Sequence, residues 1–213
     1  MDGEIIRGNV SSLAQPERLL GYLRAHGMAR LSEIRAQGVT AATVSRMERA
    51  GAVVRLARGL YQLPDAALDV HHTLAEAAKR VPKGVVCLVS ALAFHGLTDQ
   101  VPRRVWIGIG RKAWTPQGDA PPLRVVRYAE DRLAADVETH LIEGVEVRVF
   151  GVARTLADVF DARRSVGRDV AALALREALR LRLTTPAQIA EQARSAGVWR
   201  AMRPYLETLT LDG

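Results

Sequence analysis

Cysteine, lysine and aromatic residues are scarce in this sequence of 213 residues. It contains one cysteine, three lysines among 30 basic residues, and only 5% aromatic residues. The single Cys87 excludes an internal disulfide and a zinc site built from cysteines. Because Cys87 lies in the apolar run 85–89, we expect a buried, unreactive thiol. No run approaches 18 uncharged apolar residues, so a membrane-spanning helix is not expected.

The amino-terminal residues contain no pattern typical of export. Residues 1–10 include Asp2, Glu4 and Arg7 and have no apolar segment, so we expect no secretory signal. A chain with one cysteine also suits a reducing compartment. The hydrophobic content of 48% is ordinary for a globular protein with its own core. The sequence therefore predicts a cytoplasmic protein, which its basic charge would associate with the nucleoid.

The formal net charge of +7 favours a polyanionic partner such as nucleic acid. The excess of arginine over lysine, together with abundant alanine, is equally typical of a GC-rich genome. The position of the arginines is therefore more informative than their number. Residues 40–60 contain four arginines and one glutamate, so +3 of the net charge is concentrated in this short segment.

Three short helices and a strand pair are predicted in the first 65 residues. The helices run from Pro16 to Gly27, from Glu33 to Gln37 after an Ser32 cap, and from a Thr40 cap to Ala50 before Gly51. The β-prone runs 52–56 and 60–63 follow, bridged by residues 57–59. This order predicts a winged helix-turn-helix DNA-binding domain at 1–65.

A helical projection of residues 41–50 separates a core face from an outward face. Val44 and Met47 point to the core, and Thr43 lies on the flank. The outward face carries Ala42, Ser45, Arg46 and Arg49. Arginine can bond guanine in the major groove, and small side chains allow close approach to the bases. We therefore expect this face to read base edges.

The same segment supplies candidate phosphate contacts. Thr40 and Thr43 lie at the amino end of the third helix, where free N–H groups favour an anion. In the hairpin, Arg55 and Arg58 add positive charge and Gly59 lets the backbone approach the phosphates. An alternative remains, because small three-helix units also serve as protein-interaction modules and outward arginines are often only a solvated surface.

The remainder of the chain, residues 69–213, is predicted to be an α+β domain with a small sheet and several carboxyl-terminal helices. A helix is expected over 69–82 and a shorter one from an Ser90 cap to Gly96. The predicted strands are 105–109, 123–128 and 145–150. The later helices are predicted at about 153–163, 168–182, 185–196 and 199–209.

No recognisable catalytic or metal-binding motif is present in this second region. The histidines are scattered, and Gly108–Gly110 is predicted to end a strand rather than to bind phosphate. An enzyme would require a polar cleft around Ser90, His95 and Arg154, but these groups are better explained as ties within the core. We therefore expect no enzymatic activity, no metal and no cofactor.

Several ordered segments resemble the AbiEi family of type IV antitoxins. They are Val81-Pro82-Lys83-Gly84, Ser90-Ala91-Leu92 with His95-Gly96-Leu97-Thr98, Ala153 to Asp158, Ala172 to Arg182, and Met202 to Glu207. The resemblance extends from about residue 16 to residue 209.

This resemblance implies a transcriptional repressor that binds inverted repeats in double-stranded DNA and so autoregulates a toxin–antitoxin operon. It implies an antitoxin role for residues 69–213 and a nucleotidyltransferase-type toxin, AbiEii, as functional partner, with no stable complex required. The DNA-binding positions that it implies are the ones already named, within Thr40 to Arg49 and Arg55 to Gly59. A regulator without a toxin partner is the alternative within this class.

Overall fold

A computed structural model describes residues 14–116 and 120–211 of the chain. Residues 1–10, in which no secretory signal is expected, lie outside these ranges. The chain divides into two compact units. The first contains the chain up to Asp69 together with Glu143–Val145, and the second contains Val70–Ile142 and Glu146 onward. The assignment of domains to 1–65 and 69–213 stays a prediction.

The first unit consists of three helices and a three-stranded antiparallel sheet. The elements are α1 (Gln15–His26), β1 (Met28–Arg30), α2 (Leu31–Ala36), α3 (Ala41–Arg49), β2 (Val54–Ala57) and β3 (Leu60–Gln62). The strand order is β1-β3-β2. Leu19, Leu23, Ile34, Val44 and Met47 from the three helices form one apolar core with Val53 and Tyr61. The burial of Val44 and Met47 confirms the core face that the sequence predicted for α3.

One local prediction in this unit was wrong, and one strand was not predicted. Helix α2 begins at Leu31 rather than Glu33, so Ser32 lies inside the helix and does not cap it. The Glu33 carboxylate instead accepts the backbone N–H of Arg30 at 2.6 Å. Strand β1, which the sequence analysis missed, pairs with β3, Ala29 lying opposite Tyr61.

The predicted hairpin is confirmed. Strands β2 and β3 pair with Val54 opposite Gln62, and the register shifts between Arg55 and Ala57. Gly59 in the connecting turn has φ = +73°, a conformation that costs glycine little. The carbonyl oxygen of Gly59 accepts the backbone N–H of Leu31 at 2.8 Å, so the turn is held to the start of α2.

The second unit is a mixed five-stranded sheet covered by helices, which confirms the predicted α+β class. Its strands are β4 (Val85–Val86), β5 (Val105–Gly110), β6 (Leu123–Tyr128), β7 (Val137–Ile142) and β8 (Val145–Phe150). Its helices are α4 (His72–Arg80), α5 (Leu88–Phe94), α6 (Glu130–Ala134), α7 (Val152–Asp161), α8 (Arg163–Val166), α9 (Arg168–Arg180), α10 (Pro186–Ser195) and α11 (Trp199–Leu211). The strand order is β6-β5-β4-β8-β7. Across the described residues, no helix is both long and apolar enough to span a membrane.

Strand β5 lies inside this sheet, and all six of its residues are buried. It runs parallel to β6 and antiparallel to β4. Residues 108–110 form the end of this strand, as predicted. A Cβ at Gly108 would lie 2.9 Å from the Tyr128 ring, so the glycine is what allows that ring to pack against the strand.

The chain before β5 differs from its prediction. Helix α5 begins at Leu88, so Ser90 lies within the helix and is not its cap. The buried Ser90 Oγ accepts the backbone N–H of Trp106 at 2.9 Å, which joins α5 to β5. Strands β4 and β7 and the short helix α6 were missed, whereas strands β5, β6 and β8 and the late helices lie close to their predicted positions.

Helix α7 is buried along nearly its whole length, from Ala153 to Phe160. Because this helix has no solvated side, its polar residues must find partners inside the unit. The Arg154 Nε donates to the Asp158 Oδ2 at 3.0 Å, and the Arg132 Nη2 of helix α6 donates to the Asp158 Oδ1 at 3.0 Å. Burial raises the pKa of Asp158, and the two guanidinium groups oppose that rise.

Replacing Asp158 should strongly destabilise the second unit. In Asp158→Ala, the guanidinium of the almost completely buried Arg154 loses its counter-charge, which typically costs about 3–5 kcal/mol. Urea unfolding followed by tryptophan fluorescence measures this effect, because Trp106, Trp114 and Trp199 all belong to the second unit.

The matched control is Asp161→Ala, which removes an exposed carboxylate from the same helix. It should change the free energy of unfolding by no more than about 0.5 kcal/mol. Equal unfolding midpoints for the two variants would contradict a stabilising role for the buried pair.

Candidate nucleic-acid interface

Helix α3 is fixed at both ends by local sequence signals. The Thr40 Oγ1 accepts the backbone N–H of Thr43 at 3.3 Å, as expected of an N-cap. After the helix ends at Arg49, Gly51 adopts φ = +73° and turns the chain toward β2. The start and end of this helix were predicted correctly because both signals lie within a few residues of it.

A glutamine at the start of α1 attaches to the amino end of α3. The Gln15 Oε1 accepts three hydrogen bonds: from the Thr40 N–H at 3.0 Å, from the Thr40 hydroxyl at 3.2 Å and from the Thr43 hydroxyl at 2.8 Å. Thr43 is buried, with 6% of its surface exposed, so the flank of α3 on which it was predicted to lie is covered in this unit. Its hydroxyl is used to hold α3 against α1.

The outward face of α3 has the predicted composition. Ala42, Ser45, Arg46 and Arg49 are all exposed to solvent. The Arg49 Nε donates to the Ser45 carbonyl oxygen at 3.3 Å, which directs that side chain back along the helix. These four residues present two cations, a hydroxyl and a methyl group, and no carboxylate.

The turn between β2 and β3 presents a second basic group. Arg55 and Arg58 are exposed, and the Arg55 Nε donates to the Ala57 carbonyl oxygen at 3.3 Å. Gly59 is half-buried because its carbonyl oxygen is bonded to the start of α2. Of the nine predicted site residues, seven are exposed, and Gly59 and Thr43 are turned toward other parts of the unit.

The polar groups considered for an enzymatic cleft lie in the second unit and tie its core together. The His95 Nε2 is 2.8 Å from the Phe150 carbonyl oxygen, Ser90 bonds β5, and Arg154 pairs with Asp158. Within the described ranges, His, Cys, Asp and Glu side chains form no cluster of three that could hold a metal ion.

Residues 17–64 match a protein family described as transcriptional regulator, AbiEi antitoxin. The resemblance to AbiEi antitoxins is thus confirmed over α1 to β3, the segment that contains every candidate DNA-contacting residue. The carboxyl-terminal segments that also carried the resemblance lie outside the matched residues. Among curated proteins, none matches the chain.

The fold of this chain is similar to that of a solved structure. It is the crystal structure of the RV2827C protein from Mycobacterium tuberculosis, with a TM-score of 0.59 and 14% sequence identity. The match covers 91% of this chain and 80% of that chain. At this identity the similarity concerns the fold alone.

The Gln15 contact gives a testable expectation for α3. Gln15→Ala removes the shared acceptor of Thr40 and Thr43, which should cost about 1–3 kcal/mol of local stability. Hydrogen–deuterium exchange of the α3 amides in the full chain should therefore be faster. Gln37→Ala, which changes an exposed glutamine of the same unit, should leave exchange unchanged. Equal exchange in both variants would show that Gln15 does not hold the helix.

Proposed function

We propose that this protein is a DNA-binding transcriptional repressor and that α1 to β3 act as a winged helix-turn-helix. In this proposal, α3 is the recognition helix and the hairpin of β2 and β3 is the wing. The observation that carries the proposal is the exposed, acid-free face of α3 with the exposed arginines of the hairpin. The match of residues 17–64 to a family of transcriptional regulators supports it.

Base recognition is assigned to the outward face of α3. Arg46 and Arg49 have the geometry for bidentate bonds to guanine O6 and N7. Ala42 and Ser45 are small, so the helix can approach the groove closely, and the Ala42 methyl can contact a thymine methyl. Val44 and Met47 hold the opposite side of the helix in the core, which fixes the orientation of the reading face.

Phosphate contacts are assigned to the edges of this surface. The first-turn N–H groups of α3 would donate to a phosphate near the helix start, where the helix dipole also favours an anion. The exposed Thr40 would join this contact by exchanging the bond of its hydroxyl to Gln15 for one to the phosphate. Arg55 and Arg58 would contact backbone phosphates from the wing, and Gly59 would allow the close approach. Thr43, whose hydroxyl is bonded to Gln15, is assigned a positioning role instead of a DNA contact.

The matched family description extends the proposal to an antitoxin role. In its finer form, the protein represses its own operon through inverted repeats and counters a nucleotidyltransferase-type toxin without a stable complex. Residues 69–213 would carry the antitoxin activity, and the protein would act in the cytoplasm at the nucleoid. None of these steps needs a cofactor.

Removing both reading arginines should abolish specific DNA binding. For Arg46→Ala/Arg49→Ala, the affinity for DNA upstream of the protein's own coding sequence should fall at least about thirtyfold, because each bidentate arginine contributes roughly 1–3 kcal/mol. A gel-shift titration at fixed salt, with unrelated duplex DNA as reference, measures this loss. Wild-type affinity in the double variant would overturn the assignment of α3.

Two further variants make that experiment specific. Arg24→Ala removes an exposed arginine from α1, outside α3 and the hairpin, and should leave operator affinity nearly unchanged. Arg58→Ala should weaken binding to operator and unrelated DNA alike and lower the salt dependence by about one unit of slope. A stoichiometric complex with another protein and no DNA affinity would favour the alternative of a protein-interaction module.

The antitoxin role is tested separately from DNA binding. If a nucleotidyltransferase-type gene lies beside this one, its expression alone should arrest growth, and co-expression of the full chain should restore it. The Arg46→Ala/Arg49→Ala variant should still restore growth, because the proposed antitoxin activity lies in residues 69–213. Failure of the wild-type chain to restore growth, or absence of such a gene, would leave a regulator without a toxin partner.

A further inference from the structure

We propose that a cleft in the second unit binds the phosphate group of a small ligand. The cleft has a volume of about 250 Å³. Its polar lining consists of Arg111, Arg127, Arg132, Tyr128, Asp158 and Asp161, and we refer to it as the arginine cleft. This site goes beyond the proposed DNA contacts, which all lie in the first unit.

The position of the cleft follows from the sheet. Strands β5 and β6 are parallel and paired from Val105–Leu123 to Gly110–Tyr128, so both end at the same edge. Arg111 follows the last residue of β5, and Arg127 lies next to the last residue of β6. Ligands of open sheets commonly bind beyond the carboxyl ends of parallel strands.

At Asp158, which lines the cleft, two arginines share one carboxylate, although only Arg132 of the two lines the cleft itself. The Asp158 Oδ1 accepts from Arg132 and the Asp158 Oδ2 accepts from Arg154, each at 3.0 Å. One negative charge therefore faces two positive charges, and Arg154 is only 2% exposed. Uncompensated charge near a protein interior is unfavourable, and a bound anion would offset it.

The two arginines also retain unused N–H groups. Among the described residues, the buried Arg132 Nε and Arg154 Nη2 have no hydrogen-bond partner. The Arg154 guanidinium lies 4.8 Å from the centre of the Phe150 ring, which stabilises its charge but accepts no hydrogen bond. Arg132 lines the cleft with 33% of its side chain exposed, so a ligand oxygen there can approach its guanidinium group, although the Nε itself is buried.

Arg127 orders the chain segment at the entrance of the cleft. Its Nη1 donates to the carbonyl oxygens of Gly110, Arg111 and Ala113 at 3.2, 2.8 and 3.0 Å, and its Nη2 donates to the Thr115 hydroxyl at 2.8 Å. These neutral acceptors leave the positive charge of Arg127 in place. They also hold the segment that carries Arg111, so a second guanidinium is kept at the entrance.

The carboxylates near the cleft offset this charge only in part. Asp161 lines the cleft and Glu130 lies against Gly110, and both residues are exposed, as Arg111 and Arg127 are, so solvent screens these charges of either sign. Asp158, which is 5% exposed, is already engaged by two guanidinium groups. Planar guanidinium groups bind phosphate through paired hydrogen bonds, which makes phosphate the anion that best suits the site.

The shape of the cleft favours a small ligand over a polymer. Leu88 and Asp158 line it although they are only 3% and 5% exposed, so a group that reaches them must enter the cleft. A volume of about 250 Å³ leaves space beside a phosphate for a small organic group. Leu88 and Val126 offer that group an apolar contact.

Isothermal titration of the full chain with inorganic phosphate and with AMP, at constant ionic strength, tests the proposal. At least one of the two should bind saturably. Arg111→Gln should lower its affinity about tenfold, as expected for one lost charge-assisted hydrogen bond. Arg164→Gln, which changes an exposed arginine outside the cleft, should bind as the wild type does. Tighter binding of AMP would identify an organic phosphate, and equal binding would identify free phosphate.

A second variant, Arg132→Gln, and a second probe, duplex DNA, separate the possible outcomes of this test. Arg132→Gln should also weaken binding. Because this change removes a partner of the buried Asp158, the unfolding midpoint of the variant without ligand is measured as well, and only a folded variant is compared. The proposal is wrong if neither anion binds saturably or if Arg111→Gln binds as tightly as the wild type. If Arg111→Gln lowers only the affinity for duplex DNA, the cleft belongs to a DNA-contacting surface and the small-ligand proposal fails.

Discussion

The second unit depends on a pair of charged side chains, Arg154 and Asp158, on a helix that is buried on all sides. Helix α7 contacts α5, α9, α10 and α11, and its side chains from Ala153 to Phe160 are buried. Arg154 and Asp158 are four residues apart, so they meet on one face of the helix. A buried pair of this kind is tolerated only where each group finds a partner, and Arg132 of α6 supplies the second one. The helices packed around α7 must accommodate these three residues.

In the first unit, apolar contacts and hydrogen bonds together hold helix α3 in a fixed orientation. Apolar contacts of Val44 and Met47 determine which face of α3 is buried, but apolar contacts are not directional. The three hydrogen bonds to Gln15 are directional and restrain the amino end. Because binding that requires accurate placement loses affinity when the surface is mobile, such a restraint benefits recognition directly.

Features determined by neighbouring residues could be predicted from the sequence. The Thr40 cap, the Gly51 turn and the hairpin around Gly59 depend on residues within one helical turn or one β-turn, and all three were found. The exposed face of α3 follows from its period. The role of that face in binding DNA stays a prediction, because the fold and the exposure are compatible with other partners.

Features that depend on distant residues were missed. Thr43 is buried because Gln15, 28 residues earlier, accepts its hydroxyl. The run 85–92 is apolar except for Ser90, so it has no period to distinguish a strand from a helix. In the structure it changes from β4 to α5 at Leu88, whose φ of +47° is rare for a leucine and leaves no signal in the composition. The arginine cleft likewise joins residues from four separate elements.

Cys87 lies at the junction of β4 and α5. Its reaction with a thiol reagent reports local unfolding at this junction. The side chain is fully buried, and burial raises the pKa of the thiol, so a thiol reagent meets neither an accessible sulfur nor a thiolate in the native state. Because the chain has no other cysteine, the rate of modification records how often this junction separates. A fluorophore attached through a cysteine introduced on the outward face of α3 would therefore be placed at one position only, without removing the native thiol.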